Sequence, residues 1–154
     1  MRKVTLCLLL ADNQILLAMK KRGFGAGKWN GFGGKVGEGE GLETAAIREL
    51  QEEAGIQSKE DNLQKVGDIS FYFKENSEWN QQVHIFLVKG WNGEAQESEE
   101  MKPRWYNIDN IPYGSMWAAD KEWLPLILQG KKIRGEVHFC SRGDVVEKFN
   151  WREM

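Results

Sequence analysis

The stretch from Gly33 to Ile56, GGKVGEGEGLETAAIRELQEEAGI, places Glu38, Glu40, Glu43, Glu49, Glu52 and Glu53 close together in a chain of 154 residues. Like charges at such spacing repel, and alone they would read as the solvated face of a surface helix. On a helix over 42–54, however, Glu49, Glu52 and Glu53 fall at i, i+3 and i+4, within an arc of roughly 100°. Ala46, Ile47, Leu50 and Ala54 occupy a neighbouring arc that can bury against a sheet. Such a helix is anchored on one side and presents three carboxylates on the next, an arrangement that suits a divalent cation. Oxygen-only ligation by acids points to magnesium, or manganese, and away from zinc. Arg48 lies at i−4 from Glu52, close enough to orient that carboxylate.

The run just before it supplies a complementary chemistry. KKRGFGAGKWNGFGGK, residues 20–35, offers small residues whose backbone can approach a phosphate, with Lys20, Lys21, Arg22, Lys28 and Lys35 to neutralise it. A flexible linker seldom interleaves Phe24, Trp29, Asn30 and Phe32. No GxxxxGK[ST] occurs, nor a GxGxxG before a helix, so neither a Walker loop nor a dinucleotide fold gains support. Metal-binding acids beside phosphate-binding backbone and lysines suggest metal-assisted attack on a polyphosphate.

The elements that must position these groups can be outlined. Strands are expected at 4–11 and 15–20, joined by a turn at Asp12-Asn13-Gln14, and a glycine-dense region spans 23–41. The helix 42–54 stops at Gly55, a residue suited to a left-handed cap, and carries Glu43 at the favourable end of its dipole. Strands follow at 65–73 and 82–91, joined by the polar KENSEWNQ. The acidic 92–103 reads as a loop, and a short strand near 104–108, a helix near 118–129 and strands near 132–139 and 144–149 complete the chain. Strands on both sides of a helix, with hairpins among them, favour a mixed sheet covered by helices.

Composition limits the rest. At 41% hydrophobic and 29% charged the chain is globular in character and of one-domain length, 1–154. A net charge of −2 offers no general attraction to nucleic acid or anionic membrane. Cys7 and Cys140 form no CxxC and, with only His84 and His138, make no zinc pattern. The opening MRKVTLCLLLA resembles a secretory signal, but its apolar run is short and DNQ with a second apolar run follows at once, so a hairpin is the better expectation. No stretch approaches the roughly 20 apolar residues of a membrane span. A cytoplasmic monomer is expected.

Gly34, Glu40 and the run Arg48-Glu49-Leu50-Gln51-Glu52-Glu53-Ala54-Gly55-Ile56 follow the pattern GX5EX7REUXEEXGU, where U is aliphatic. In this the segment 34–56 resembles the signature box of the Nudix hydrolases, and all of its specified positions match. The resemblance implies an α/β/α sandwich with a mixed β-sheet, and hydrolysis of a nucleoside diphosphate linked to another group. MKKRGFGAGKWNGFGGKV, EEMKPRWYNIDNIPY and Met116-Trp117 extend the likeness to the animal MutT-homologue branch of that family, which clears oxidised purine nucleotides. Carried over by position, Glu49, Glu52, Glu53, Glu100 and the Gly33 carbonyl would hold magnesium or manganese, with Arg48 among the catalytic set. Thr5, Lys20, Asn30, Phe32, Gly33, Gly34, Lys35, Phe71, Phe73, Trp117 and Asp120 would line the nucleotide pocket. Glu53 is the first choice for the group that orients or deprotonates water, with Glu100 and Glu52 as alternatives. The implied reaction is 8-oxo-dGTP + water → 8-oxo-dGMP + pyrophosphate.

Each carried-over residue also has a plain structural alternative. Trp117 alone would more often be core, Phe71 and Phe73 share one face of a strand and could be core, and Glu100 sits in the acidic run ESEE. One departure stands out: that branch carries two adjacent aspartates, where this chain has Ala118, Ala119 and Asp120. A paired acid can offer donor or acceptor as the base requires, and alanine can offer neither. The expectation is a preference for 8-oxo-guanine over 2-oxo-adenine nucleotides. Two competitors remain open: a Nudix enzyme acting on another dNTP, a methylated purine, ADP-ribose or a capped RNA, and a non-catalytic nucleotide-binding module.

Overall fold

In strand Arg2–Ala11 (β1), alternate apolar residues are buried on opposite faces: Leu6 and Leu8 join one core cluster, Cys7 and Leu9 another. A strand covered on both sides requires a layer above and a layer below. The computed structural model, which describes residues 1–154, supplies both. Helix Leu42–Ala54 (α1) packs through Ala46, Leu50 and Ala54 over Cys7, Leu9, Phe32 and Phe86. Helix Asp120–Leu128 (α2) packs through Trp123, Leu124 and Ile127 over Leu6, Leu8, Ile69 and Phe139. The result is the expected α/β/α sandwich. Ala45 is buried in α1 where Ile47 was expected, and Ile47 is half-buried.

Between the helices lies one mixed sheet. Besides β1 it holds Gln14–Lys20 (β2), Trp29–Asn30 (β3), Leu63–Phe73 (β4), Gln81–Val88 (β5), Met101–Asn107 (β6), Ile133–Cys140 (β7) and Val145–Glu153 (β8). The order is β3-β2-β1-β5-β4-β7-β8, with β6 along the other side of β2. β1 runs parallel to β5 and β4 parallel to β7; the remaining pairs are antiparallel. The turn between β1 and β2 takes φ of 51° at Asp12 and 61° at Asn13, the left-handed pair of a tight hairpin.

That hairpin forks, and the fork positions the site. β1 and β2 pair only near the turn, from Ala11↔Gln14 to Leu9↔Leu16. Beyond that, residues 30–36 enter between them: Asn30 pairs with Ala18, Phe32 bridges Cys7, and Lys35 bridges Val4. Space in the fork is tight. A Cβ on Gly33 would lie 1.8 Å from the Thr5 carbonyl oxygen, and one on Gly31 2.6 Å from that of Cys7. Glycine is needed here for close approach of two backbones.

Several boundaries differ from expectation. β6 begins at Met101, inside the stretch read as loop, because its acidic lead-in and Pro103 hid a strand; an edge strand tolerates proline. α2 begins at Asp120, since Trp117–Ala119 form the turn that leads into it. β5 ends at Val88, where Lys89 N–H turns to the Asn62 carbonyl. β8 runs on to Glu153, paired along β7. No helix is long and apolar enough to cross a membrane.

Candidate active site

α1 starts at Gly41 without a side-chain cap and ends at Gly55, whose φ of 70° and N–H bond to the Gln51 carbonyl close the last turn. Its carboxylates meet the fork. The Gly33 N–H donates to Glu53 Oε1 at 2.8 Å. A Cβ on Gly34 would fall 2.5 Å from the Glu49 carboxyl carbon, so the fork also lies hard against Glu49. Burial pushes the Glu53 carboxyl up to about 7; the Gly33 N–H and Lys20 oppose the rise, and the charges of Glu49 and Glu100 add to it. At neutral pH this acid can both give and take a proton.

Arg48 is the hub of the acidic network. Its Nε and Nη2 donate to both oxygens of Glu40, at 2.8 and 3.0 Å, while Nη2 also donates to the Lys35 carbonyl at 3.1 Å. Nη1 donates to Glu49 at 2.9 Å and to Glu52 at 3.3 Å. The contact expected with Glu52 is thus the longest of the set, and the bidentate partner is Glu40. Arg48, followed by the Gly37 N–H, holds the Glu40 carboxyl at about 2. A fork-to-fork pair of this kind fixes the loop before α1 to the middle of the helix.

Glu100 is exposed and paired with Arg22 at 3.3 Å. The acidic run is not a free loop, however. Lys21 N–H donates to the Glu100 carbonyl, and Lys21 Nζ donates to Glu97 at 2.6 Å and to the Ser98 carbonyl at 2.7 Å. Glu100 is therefore drawn to the lysine-rich loop, near enough for its charge to raise Glu53.

The donors at this end are carboxylates and carbonyls, a set that fits a hard divalent cation. The acids are held by Arg48 and Arg22, and no three or more Asp, Glu, His or Cys side chains are gathered as a finished metal cluster. Burial raises Glu53 most; the repulsion from Glu49 and Glu100 that adds to it is what a cation among these acids would relieve.

A cavity of about 440 Å³ opens from this edge into the fold. It is lined by Thr5, Lys20, Asn30, Gly33, Gly34, Lys35, Phe71, Phe73, Trp117 and Asp120, and at the acidic end by Glu53. Phe71 and Phe73 are at once core and wall, being buried yet facing the cavity. Phe32 does not line it. Its side chain is fully buried under α1, in the cluster of Leu50 and Phe86. The period-two alternation of the inserted segment turns Phe32 to the helix, so its expected place in the pocket is corrected.

On the α2 side the cavity meets Asp120, 3% exposed. Its Oδ1 accepts from Trp123 Nε1 at 3.0 Å, and Oδ2 has no partner. Burial pushes this carboxyl up to about 7, against the hydrogen bonds from Trp123 and from the backbone near Trp117 and against the charge of Lys28. An unpaired buried carboxylate oxygen is costly and calls for a donor from a ligand. Ala119 beside it is fully buried and offers none.

Residues not singled out from the sequence complete the walls. Trp79 comes from the polar 74–81 segment, where nothing in the local pattern marked it. Phe24 and Lys28, noted only as parts of the glycine-rich run, face the cavity as well, and Lys28 Nζ lies 5.2 Å from the Trp117 ring centroid.

The NUDIX domain family matches residues 1–127. The chain is 50% identical over 144 residues to an oxidized purine nucleoside triphosphate hydrolase from Danio rerio, covering 94% of this chain and 90% of that one. It is 48% identical over 153 residues to the protein of the same description from Mus musculus, covering 99% and 96%. Among solved structures, the MutT protein from Bacillus halodurans superposes with a TM-score of 0.85 at 26% identity, covering 98% of this chain and 97% of its own.

Proposed function

This chain belongs to the Nudix family of hydrolases, and on that premise we propose that it cleaves oxidised purine nucleoside triphosphates, chiefly 8-oxo-dGTP to 8-oxo-dGMP and pyrophosphate. The observation that carries this is a single cavity reaching from an acid near neutrality under the Gly33 N–H to a buried carboxylate with one unpaired oxygen. The first suits hydrolysis of a triphosphate; the second suits a base edge rich in donors.

Glu49, Glu52, Glu53, Glu100 and the Gly33 carbonyl would hold magnesium, or manganese, which would supply phosphate neutralisation and a more acidic water. The chain's own residues do the rest. Lys20 and Lys35, with the close-packed glycine backbone of the fork, receive the phosphates. Glu53 takes a proton as the water oxygen adds to phosphorus at the α–β linkage. The bridging P–O bond breaks, and its electrons leave with the pyrophosphate. Arg48 keeps Glu49, Glu52 and the Glu40 loop in place throughout.

Ionised Asp120 accepts from the N1–H and exocyclic amine of guanine, a donor pair that an adenine edge lacks, while Trp117 stacks on the ring. With Ala119 in place of a second acid, 8-oxo-guanine is favoured over 2-oxo-adenine. The whole chain, 1–154, acts as one Nudix domain around the box 34–56, as a cytoplasmic monomer whose partner is a small nucleotide, neither nucleic acid nor membrane. A magnesium-dependent pyrophosphate-release screen over 8-oxo-dGTP, 2-oxo-dATP and dGTP tests the assignment. The expected order of kcat/KM has 8-oxo-dGTP first; equal values for the two oxidised nucleotides would remove the role given to Ala119, and inactivity on both would remove the substrate class.

A further inference from the structure

Trp79 is the one ring in the β4–β5 segment that does not belong to either strand. The turn that carries it is tied down on every side. Asn76 N–H donates to the Phe73 carbonyl at 3.2 Å, Trp79 N–H to the Asn76 carbonyl at 3.1 Å, and Phe73 N–H to Asn80 Oδ1 at 2.7 Å. Asn76 Oδ1 in turn accepts from Glu78 N–H. An indole with only two rotatable bonds, on backbone so constrained, is a rigid post. Arg142 sits over its ring, 5.6 Å from the centroid, and the Phe73 ring meets it edge-on at 5.7 Å and 85°.

Phe24 is placed mainly through its ring. It stands among Gly23, Gly25 and Gly27, whose φ values of 85°, 82° and 86° put the loop in the left-handed region. Its ring is 38% exposed and lines the cavity. Three glycines give this backbone many alternatives in the absence of contacts. Gly27 N–H to the Lys20 carbonyl at 2.8 Å and Ala26 N–H to the Gly23 carbonyl at 3.1 Å close the loop, and the contacts that place the Phe24 ring are aromatic: Trp79 at 5.1 Å and 62°, Trp117 at 5.2 Å and 34°, and Phe73 at 6.3 Å and 74°. Of these, Trp117 and Phe73 also pack on Phe139, whereas Trp79, itself part of the wall, comes from the separate 74–81 segment and is the support that segment adds.

We infer that Trp79 is a positioning residue: by bracing Phe24 on its glycine loop it fixes one wall at the mouth of the cavity, and so sets the affinity for a planar purine base without a part in the chemistry at Glu53. The inference rests on the assignment of this cavity to the base of the substrate.

The full chain without ligand and the Trp79→Ala and Trp79→Phe variants are compared by amide hydrogen exchange over residues 23–27, and by KM and kcat with 8-oxo-dGTP. Trp79→Ala should speed exchange in that loop and raise KM by about tenfold while kcat stays within about twofold, because one aromatic support is lost and no reacting group is touched. Trp79→Phe, which keeps a ring at the contact, should restore most of both. Unchanged exchange and KM in Trp79→Ala would overturn the inference. So would a fall in kcat and thermal midpoint with KM unmoved, or a failure of phenylalanine to rescue. If the wild-type chain turned over no oxidised purine nucleotide, the substrate assignment would fall, and exchange in the 23–27 loop would still decide whether Trp79 braces Phe24.

Discussion

Glu53, half-buried, and Asp120, buried, come from the two helices, one on each side of the sheet, and each is an acid raised to about 7 at the same cavity. The resemblance ends there. Glu53 is crowded by charge: a backbone N–H and Lys20 draw its value down, while Glu49 and Glu100 push it up. Asp120 is nearly alone, with one oxygen held by the Trp123 indole, the other unpaired, and Lys28 as the charge that stabilises it. Crowding suits an acid that must exchange a proton beside cations and phosphates. Isolation suits an acid whose missing partner is the ligand itself.

The sharpest way to break this contrast is to remove charge from each acid without changing its shape. Glu53→Gln keeps an acceptor for the Gly33 N–H and loses the base. Turnover of 8-oxo-dGTP should drop by about 10²–10⁴-fold while product binding persists. Pyrophosphate release and titration calorimetry with 8-oxo-dGMP would measure the two, and a variant that still turns over at near wild-type rate would move the proton acceptor to Glu52 or Glu100.

Asp120→Asn should be milder and of a different kind. The amide still accepts from Trp123, yet offers the base an uncharged edge, so kcat/KM should fall by about 10–100-fold, mostly through KM. Its pH behaviour separates it further. In wild type, acceptance from guanine donors strengthens as Asp120 ionises, so kcat/KM for 8-oxo-dGTP should rise through about pH 7 with two contributions, and Asp120→Asn should keep the one from Glu53 and lose the other. Stability runs the other way. The folded chain retains a proton on Asp120 that the unfolded chain sheds near the ordinary value of 3.8, so stability falls as pH rises from there to about 7 and then levels off. Thermal midpoints for Asp120→Asn should lose that part of the slope; identical slopes would deny that the carboxyl is raised.

The contrast also explains what could be read from residue order. The acid side was legible because one helix carries it: Glu49, Glu52 and Glu53 are fixed by helical period, and α1 runs from Leu42 to the left-handed Gly55 as expected. The glycine run was legible in composition but not in conformation. That residues 30–36 wedge into a fork between β1 and β2 depends on backbone contacts with Thr5 and Cys7, which leave no mark in spacing. Phe32 shows the cost, since without the register of that wedge its side chain could not be assigned to a face. The base side draws Phe24, Trp79 and the pair Trp117 and Asp120 from three separate segments, so no local periodicity connects them. Trp117 and Asp120 were reached through family resemblance, and Trp79, in a segment of polar residues, was missed.

The smallest expected effect is the one that best separates the two acids. Lys28, half-buried with its Nζ 5.2 Å from the Trp117 ring centroid, lowers Asp120 and is not among the charges acting on Glu53; Lys20 acts on Glu53. Lys28→Met keeps the length of the side chain and removes the charge, so the Asp120 part of the rise in kcat/KM for 8-oxo-dGTP should move to higher pH, with little change in its plateau. The same substitution made in Asp120→Asn should move nothing, because the group it acts on no longer titrates. If the midpoint shifts in that double variant as well, the group that Lys28 acts on is Glu53. The α2 side would then hold its carboxylate in one charge state throughout, and the two acids would differ in place alone.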